Sequence, residues 1–121
     1  NAKEFITTVE EWLNLTEINL PTLKSQHDKG AVYKVFKVGF ALISPSECTK
    51  QGIKAARIQD GKCLLPTTVV EVERKRQLCR LPLALTSWAF DFVALAHVGT
   101  NIFPTQVEFG ILDGHTYAEF L

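Results

Sequence analysis

A chain of 121 residues, 46% hydrophobic and 21% charged, is sized for one domain, 1–121, with a core of its own. Its formal net charge of zero argues against a broad electrostatic surface for nucleic acid or anionic membrane, and leaves little self-repulsion to keep copies apart. Cys48, Cys63 and Cys79 stand far apart with no CxxC or CxxH pair, which argues against structural zinc and against a secreted disulfide scaffold.

Free thiols in a reducing, cytoplasmic setting are therefore expected. No apolar run reaches the roughly 20 residues needed to span a bilayer, and no basic-then-apolar leader opens the chain. The initial Asn1-Ala2 reads as a tag remnant. The chain has no methionine, where average usage would give about two or three. An omitted methionine would shift long spacings, so short local patterns carry the weight.

Residues 2–15 place Phe5, Val9, Trp12 and Leu13 at helical spacing, with Ile6 beside them. Thr7 and Thr8 are mediocre helix formers, so packing of Phe5 and Trp12 must supply most of the stability. The helix is expected to lie on a sheet; the alternative is a detachable partner helix. Residues 14–21 break the pattern, and KSQHDKG at 24–30 is a polar turn that leaves His27 in solvent. Residues 31–43 alternate as a long strand, with apolar groups on both faces and one lysine on each, Lys34 and Lys37. Gly39 marks a bulge, a bend or a close backbone approach there.

Ser44-Pro45-Ser46-Glu47 supplies an N-cap, a proline at N1 and a glutamate at N3. This capping box predicts a short helix over 45–51, ended by Gly52. Glu47 would compete with any anion for the free N–H groups at its start. Asp60-Gly61 predicts a tight hairpin between 53–59 and 62–65, with Gln59 opposite Lys62. Residues 66–81 are ambiguous. The valines and Thr67-Thr68 favour strand, whereas a Thr68 cap with Glu71 and Lys75 favours helix; mainly strand is expected.

Residues 87–98, SWAFDFVALAHV, form the longest apolar run. Extended, they would be apolar on both flanks, which predicts a central strand covered on both sides. Asp113-Gly114 predicts a second hairpin, from 106–112 to 115–121. LLPTTV at 64–69 and IFPTQV at 102–107 echo each other as loop-to-strand entries, without implying duplication. Together these elements predict an α+β fold, a mostly antiparallel curved sheet of about six or seven strands with the N-terminal helix packed on it and the short helix near 45–51.

Candidate chemistry is sparse. Cys79 has a basic neighbourhood that would lower a thiol pKa, and it could meet His97 only if their strands were adjacent. Asp91 on a buried strand would be either a general acid with raised pKa or the partner of Arg74, Arg76 or Arg80, pairing being the commoner fate. On a strand His97 would lie about 20 Å from Asp91, too far to pair. Asp113 serves its turn, and His115 and Glu119 would be about 13 Å apart, so no metal is expected, nor any cofactor. Arg74, Arg76 and Arg80 are the candidate nucleic-acid contact, but no aromatic interleaves them and Glu71 and Glu73 blunt the charge.

Apolar groups are plentiful and polar groups do not converge. The expectation is a non-enzymatic binding or protein-interaction domain: a homo-oligomer, a small-ligand carrier or an inhibitor of immunity-protein type. The alternative is a small hydrolase or lyase using Cys79 or His97 beside Asp91. A weak nucleic-acid binder is third. The expected partner is a protein or a second copy, with a small molecule as the other candidate; nucleic acid is disfavoured and a membrane is not expected.

Overall fold

A computed structural model describes residues 6–54 and 57–121. Helix α1 spans Val9–Asn14. Its start is a capping box that the sequence shows at Thr8 and Glu11: the Thr8 hydroxyl accepts from the Glu11 N–H at 3.1 Å, and the Glu11 carboxylate accepts from the Thr7 N–H at 3.2 Å. The helix is thus shorter than the expected 2–15. The suspected tag remnant and Phe5 lie outside the described residues.

Two short strands follow, β1 (Thr16–Glu17) and β2 (Thr22–Leu23), then the long β3 (Ala31–Ile43). Helix α2 (Pro45–Lys50) begins as the sequence predicts, with the Ser44 hydroxyl accepting from the Glu47 N–H at 3.4 Å. Glu47 departs from the expected box: its carboxylate accepts from the Val9 N–H at 3.2 Å, the first amide of α1, and so ties the two helices together.

Strand β4 is only Ile58–Gln59, shorter than the expected 53–59, of which 55 and 56 lie outside the described residues. The Asp60-Gly61 turn leads to β5 (Lys62–Val72), with Gln59 opposite Lys62 as expected. Residues 66–81 resolve as strand. A turn at Glu73-Arg74, both with positive φ, joins β5 to β6 (Lys75–Arg80). Pairing on both sides of β5 outweighs the local helical signals.

A single 3-10 turn at Leu83–Leu85 precedes α3 (Thr86–His97), then β7 (Thr105–Leu112) and β8 (His115–Phe120), joined by the Asp113-Gly114 hairpin. Helix α3 corrects the central expectation that residues 87–98 are a buried strand. A run apolar on both flanks fits a strand or a helix equally well, and its length and its alanines favour the helix. The sheet is organised around β3 and β5 instead.

The strands form one curled, mostly antiparallel sheet in the order β1-β6-β5-β3-β7-β2, with β4 beside β5 and β8 beside β7. Among the described residues, only the short β1 and β2 join in parallel. The count exceeds the expected six or seven because three of the eight strands have two residues each. No helix among the described residues is long and apolar enough to cross a membrane.

Directly opposed residues share a sheet face, so the registers sort two cores. One face carries Val35, Val38, Val70, Cys79, Val107 and Phe109, covered by α3 through Ala89. The other carries Ala41, Ile43, Cys63 and Leu65, covered by Val9 and Trp12 of α1 and Cys48 of α2. The Trp12 indole N–H donates to the Pro66 carbonyl at 3.0 Å, and the Leu81 N–H donates to the same oxygen at 3.0 Å. Replacing Trp12 therefore removes packing and one of two donors. Trp12→Phe should cost about 1–2 kcal/mol and Trp12→Ala about 3–5 kcal/mol in urea unfolding.

Candidate functional site

β3 has neighbours on both sides for only part of its length. It pairs with β7 from Ala31 to Val35 and with β5 from Val35 to Ile43. The register slips between Val35 and Lys37, so Phe36 is an extra residue in the ladder. Such a bulge bends and twists the strand away from its partner. The sequence suggested this irregularity at Gly39; the structure moves it to Phe36. A Cβ on Gly39 would meet only the Thr67 hydroxyl, at an ordinary 3.7 Å.

Beyond the bulge, the β7-side edge of β3 has no strand partner among the described residues. The C-terminal half of α3 and the segment after it come over this edge and leave a cleft of about 710 Å³. Phe36, Lys37, Val38, Gly39 and Phe40 all line it. Thr67, Thr68 and Val69 of β5, which is paired on both sides, line it as well, so the cleft reaches from the β3 edge across the sheet.

The cleft has two unlike walls. On the α3 side, Val38 and Phe40 face Phe92, Val93, Ala96 and Phe103. Phe92 is fixed by edge contacts, with ring centroids 5.1 Å from Trp88, 4.9 Å from Phe120 and 5.9 Å from Phe103. On the opposite face, Lys37, Gly39, Val69, Leu78 and Arg76 make an open shelf. The bulge turns Phe36 onto this shelf. Its ring lies 4.3 Å from the Arg76 guanidinium carbon and 5.3 Å from the Lys34 ammonium.

The three catalytic candidates are not gathered in this cleft. His97, the exposed last residue of α3, lines it; Cys79 and Asp91 do not. Asp91 is exposed on α3, which corrects the expectation of a buried carboxylate. Six residues apart on a helix, Asp91 and His97 are about 9 Å apart along the axis and about 120° apart around it. Cys79 is buried between Thr16 and Thr68, and burial pushes its thiol up rather than down.

The three arginines have separate roles. Arg74 sits in the β5–β6 turn and Arg76 on the shelf. Arg80 is half-buried and turns inward: its Nε donates to the Leu15 carbonyl at 3.1 Å, and its guanidinium lies 3.8 Å from Glu17. No cluster of three metal-ligating side chains occurs among the described residues.

Two further polar groupings are structural. Cys48 and Cys63 are neighbours in the second core, where burial and then a hydrogen bond to Cys63 push the Cys48 thiol up to about 11. The Tyr117 hydroxyl donates to Glu108 at 2.6 Å, and the same carboxylate oxygen accepts from the Gly30 N–H at 3.3 Å. Burial, then Glu108, pushes the phenol up to about 12, while the phenol's hydrogen bond holds Glu108 below the ordinary carboxylate range. A Cβ at Gly110 would come within 2.8 Å of the Tyr117 ring, so this latch depends on a bare glycine.

Sequence reasoning named His97 and Arg76 as site candidates but missed Lys37 and the aromatic wall, because the cleft arises from a tertiary parting of strands. Comparison with family models, with curated proteins and with solved structures yields no match.

All three thiols are buried and unpaired. At neutral pH their iodoacetamide alkylation should run on the order of a hundredfold slower than that of a free thiol and accelerate with unfolding in urea. The Tyr117 latch has an alkaline limit. Its phenol is raised above the unfolded value of about 10, so its contribution is complete below that pH and is lost as pH rises towards about 12. Ultraviolet tyrosinate titration should show one tyrosine ionising late, and Glu108→Gln should lower that midpoint.

Proposed function

We propose that this protein is a non-enzymatic interaction domain that receives an extended segment of a partner polypeptide along β3, adding a strand to its sheet. One observation carries this reading: from the bulge at Phe36 onward, β3 has no strand partner on its β7 side among the described residues, and the cleft opens at that stretch. Strand addition needs an unpaired backbone edge for affinity and alternating side-chain sites for specificity. The edge from Phe36 onward supplies the first, and the two walls supply the second. Exposed Leu95, Val98 and Ile102 flank the lining residues Ala96, His97 and Phe103, which extends the apolar surface at the cleft.

Dispersal of Cys79, Asp91 and His97 weighs against the hydrolase alternative, since acid–base and nucleophilic work require mutual contact. Inward-turned Arg80 weighs against a three-arginine nucleic-acid surface. The unpaired thiols suit a reducing, cytoplasmic setting. A small amphipathic ligand is the second reading, favoured by the cavity volume of about 710 Å³, which lies within the usual range for such sites.

The test pans a displayed random heptapeptide library against the folded protein and titrates enriched peptides by amide NMR. The expected result is perturbation centred on 36–40. N-methylation of alternate peptide residues should abolish binding in one phase and spare it in the other, the signature of a ladder. Ala96→Trp, on an exposed lining position, should weaken binding at least about tenfold while leaving the fold intact. Failure to enrich any peptide, or perturbation elsewhere, overturns the proposal.

A further inference from the structure

An added strand would set its side chains alternately on the two walls of the cleft, and the two walls differ in chemistry. One row enters between β3 and α3, against Phe40, Phe92 and Phe103. The other row lies over the shelf that carries Lys37 and Arg76, with Lys34 reaching the same Phe36 ring as Arg76. None of these three cations forms an ion pair with a described carboxylate. The acid nearest in register is Glu71, the cross-strand partner of Arg76, which leaves an excess of positive charge on the shelf.

We infer that the partner segment alternates acidic and apolar residues, its acids meeting Lys37 and Arg76 and its apolar groups filling the aromatic slot. This rests on the strand-addition reading and adds the partner's chemistry to it. The protein's zero net charge makes the local excess the distinguishing feature: attraction comes from placement on one face, not from an overall field. Phe36 presses on the Arg76 guanidinium from one side, which holds that flat group ready for a bidentate carboxylate contact.

Three synthetic peptides of equal length test this by fluorescence anisotropy and amide NMR. The first alternates glutamate with valine and phenylalanine, the second replaces each glutamate with lysine, and the third has the first one's composition with its acids grouped at one end. The alternating acidic peptide should bind at least about tenfold more tightly than either other, more weakly as salt rises. The Lys37→Glu, Arg76→Glu double variant, exposed at both positions and checked by circular dichroism, should prefer the lysine peptide. If acidic and lysine peptides bind equally, both at 36–40, the charge inference falls while strand addition stands. If no peptide binds at 36–40, and the random library also yields none, the underlying reading falls. If single-stranded oligothymidine binds the shelf and displaces the acidic peptide, the partner is a nucleic acid and the inference is overturned.

Discussion

The backbone ladder of β3 governs this molecule. From Ala31 to Val35 the strand pairs with β7 and from Val35 to Ile43 with β5, so only Val35 is held on both sides; after the slip at Phe36, β5 is its one strand partner among the described residues. Each strand residue has an N–H and a C=O to satisfy, and leaving one buried without a partner costs about 1–3 kcal/mol. A half-free edge must therefore face water or another chain. The cleft is the space this requirement keeps open, and α3 is placed so that it shelters the edge without closing it.

The support behind that edge is stiff. β5 is bound on both sides and its hydroxyls join in: Thr68 donates to the Lys37 carbonyl at 2.9 Å. Pro66, with no N–H to give, accepts from both Trp12 and Leu81, so one β5 carbonyl links the layer under α1 to the end of β6. Glu47 links α2 to the start of α1. An edge on such a frame is already ordered, so an added strand would cost it little freedom.

Local chemistry was legible in the sequence and long-range geometry was not. The Asp-Gly hairpins and the Ser44 cap depend on a few neighbouring residues, and they stand where they were read. The Thr8–Glu11 cap is equally local. Residues 87–98 were misread because an apolar segment with two buried flanks has no period that separates strand from helix. Glu73-Arg74 hid its turn because neither residue is the glycine or asparagine that such φ values favour. Of the site, the charges were visible as residues, but Arg76 was grouped with Arg80 by sequence distance, whereas the ladder places Arg76 beside the cleft and Arg80 beneath α1.

An open edge is ordinarily a hazard, since it pairs with any exposed strand, including its own copy. Lys37 alters that balance, with Lys34 just before the bulge adding to the charge of the same face. Two β3 edges brought together would bring two Lys37 side chains towards one another across a narrow ladder, and like charges opposed on a sheet are destabilising. The same lysines cost nothing when the incoming strand carries carboxylates at matching positions. Discrimination of this kind comes from repelling the wrong partner as much as from holding the right one. A neutral protein, with no general charge to keep copies apart, has particular need of repulsion placed at an open strand edge.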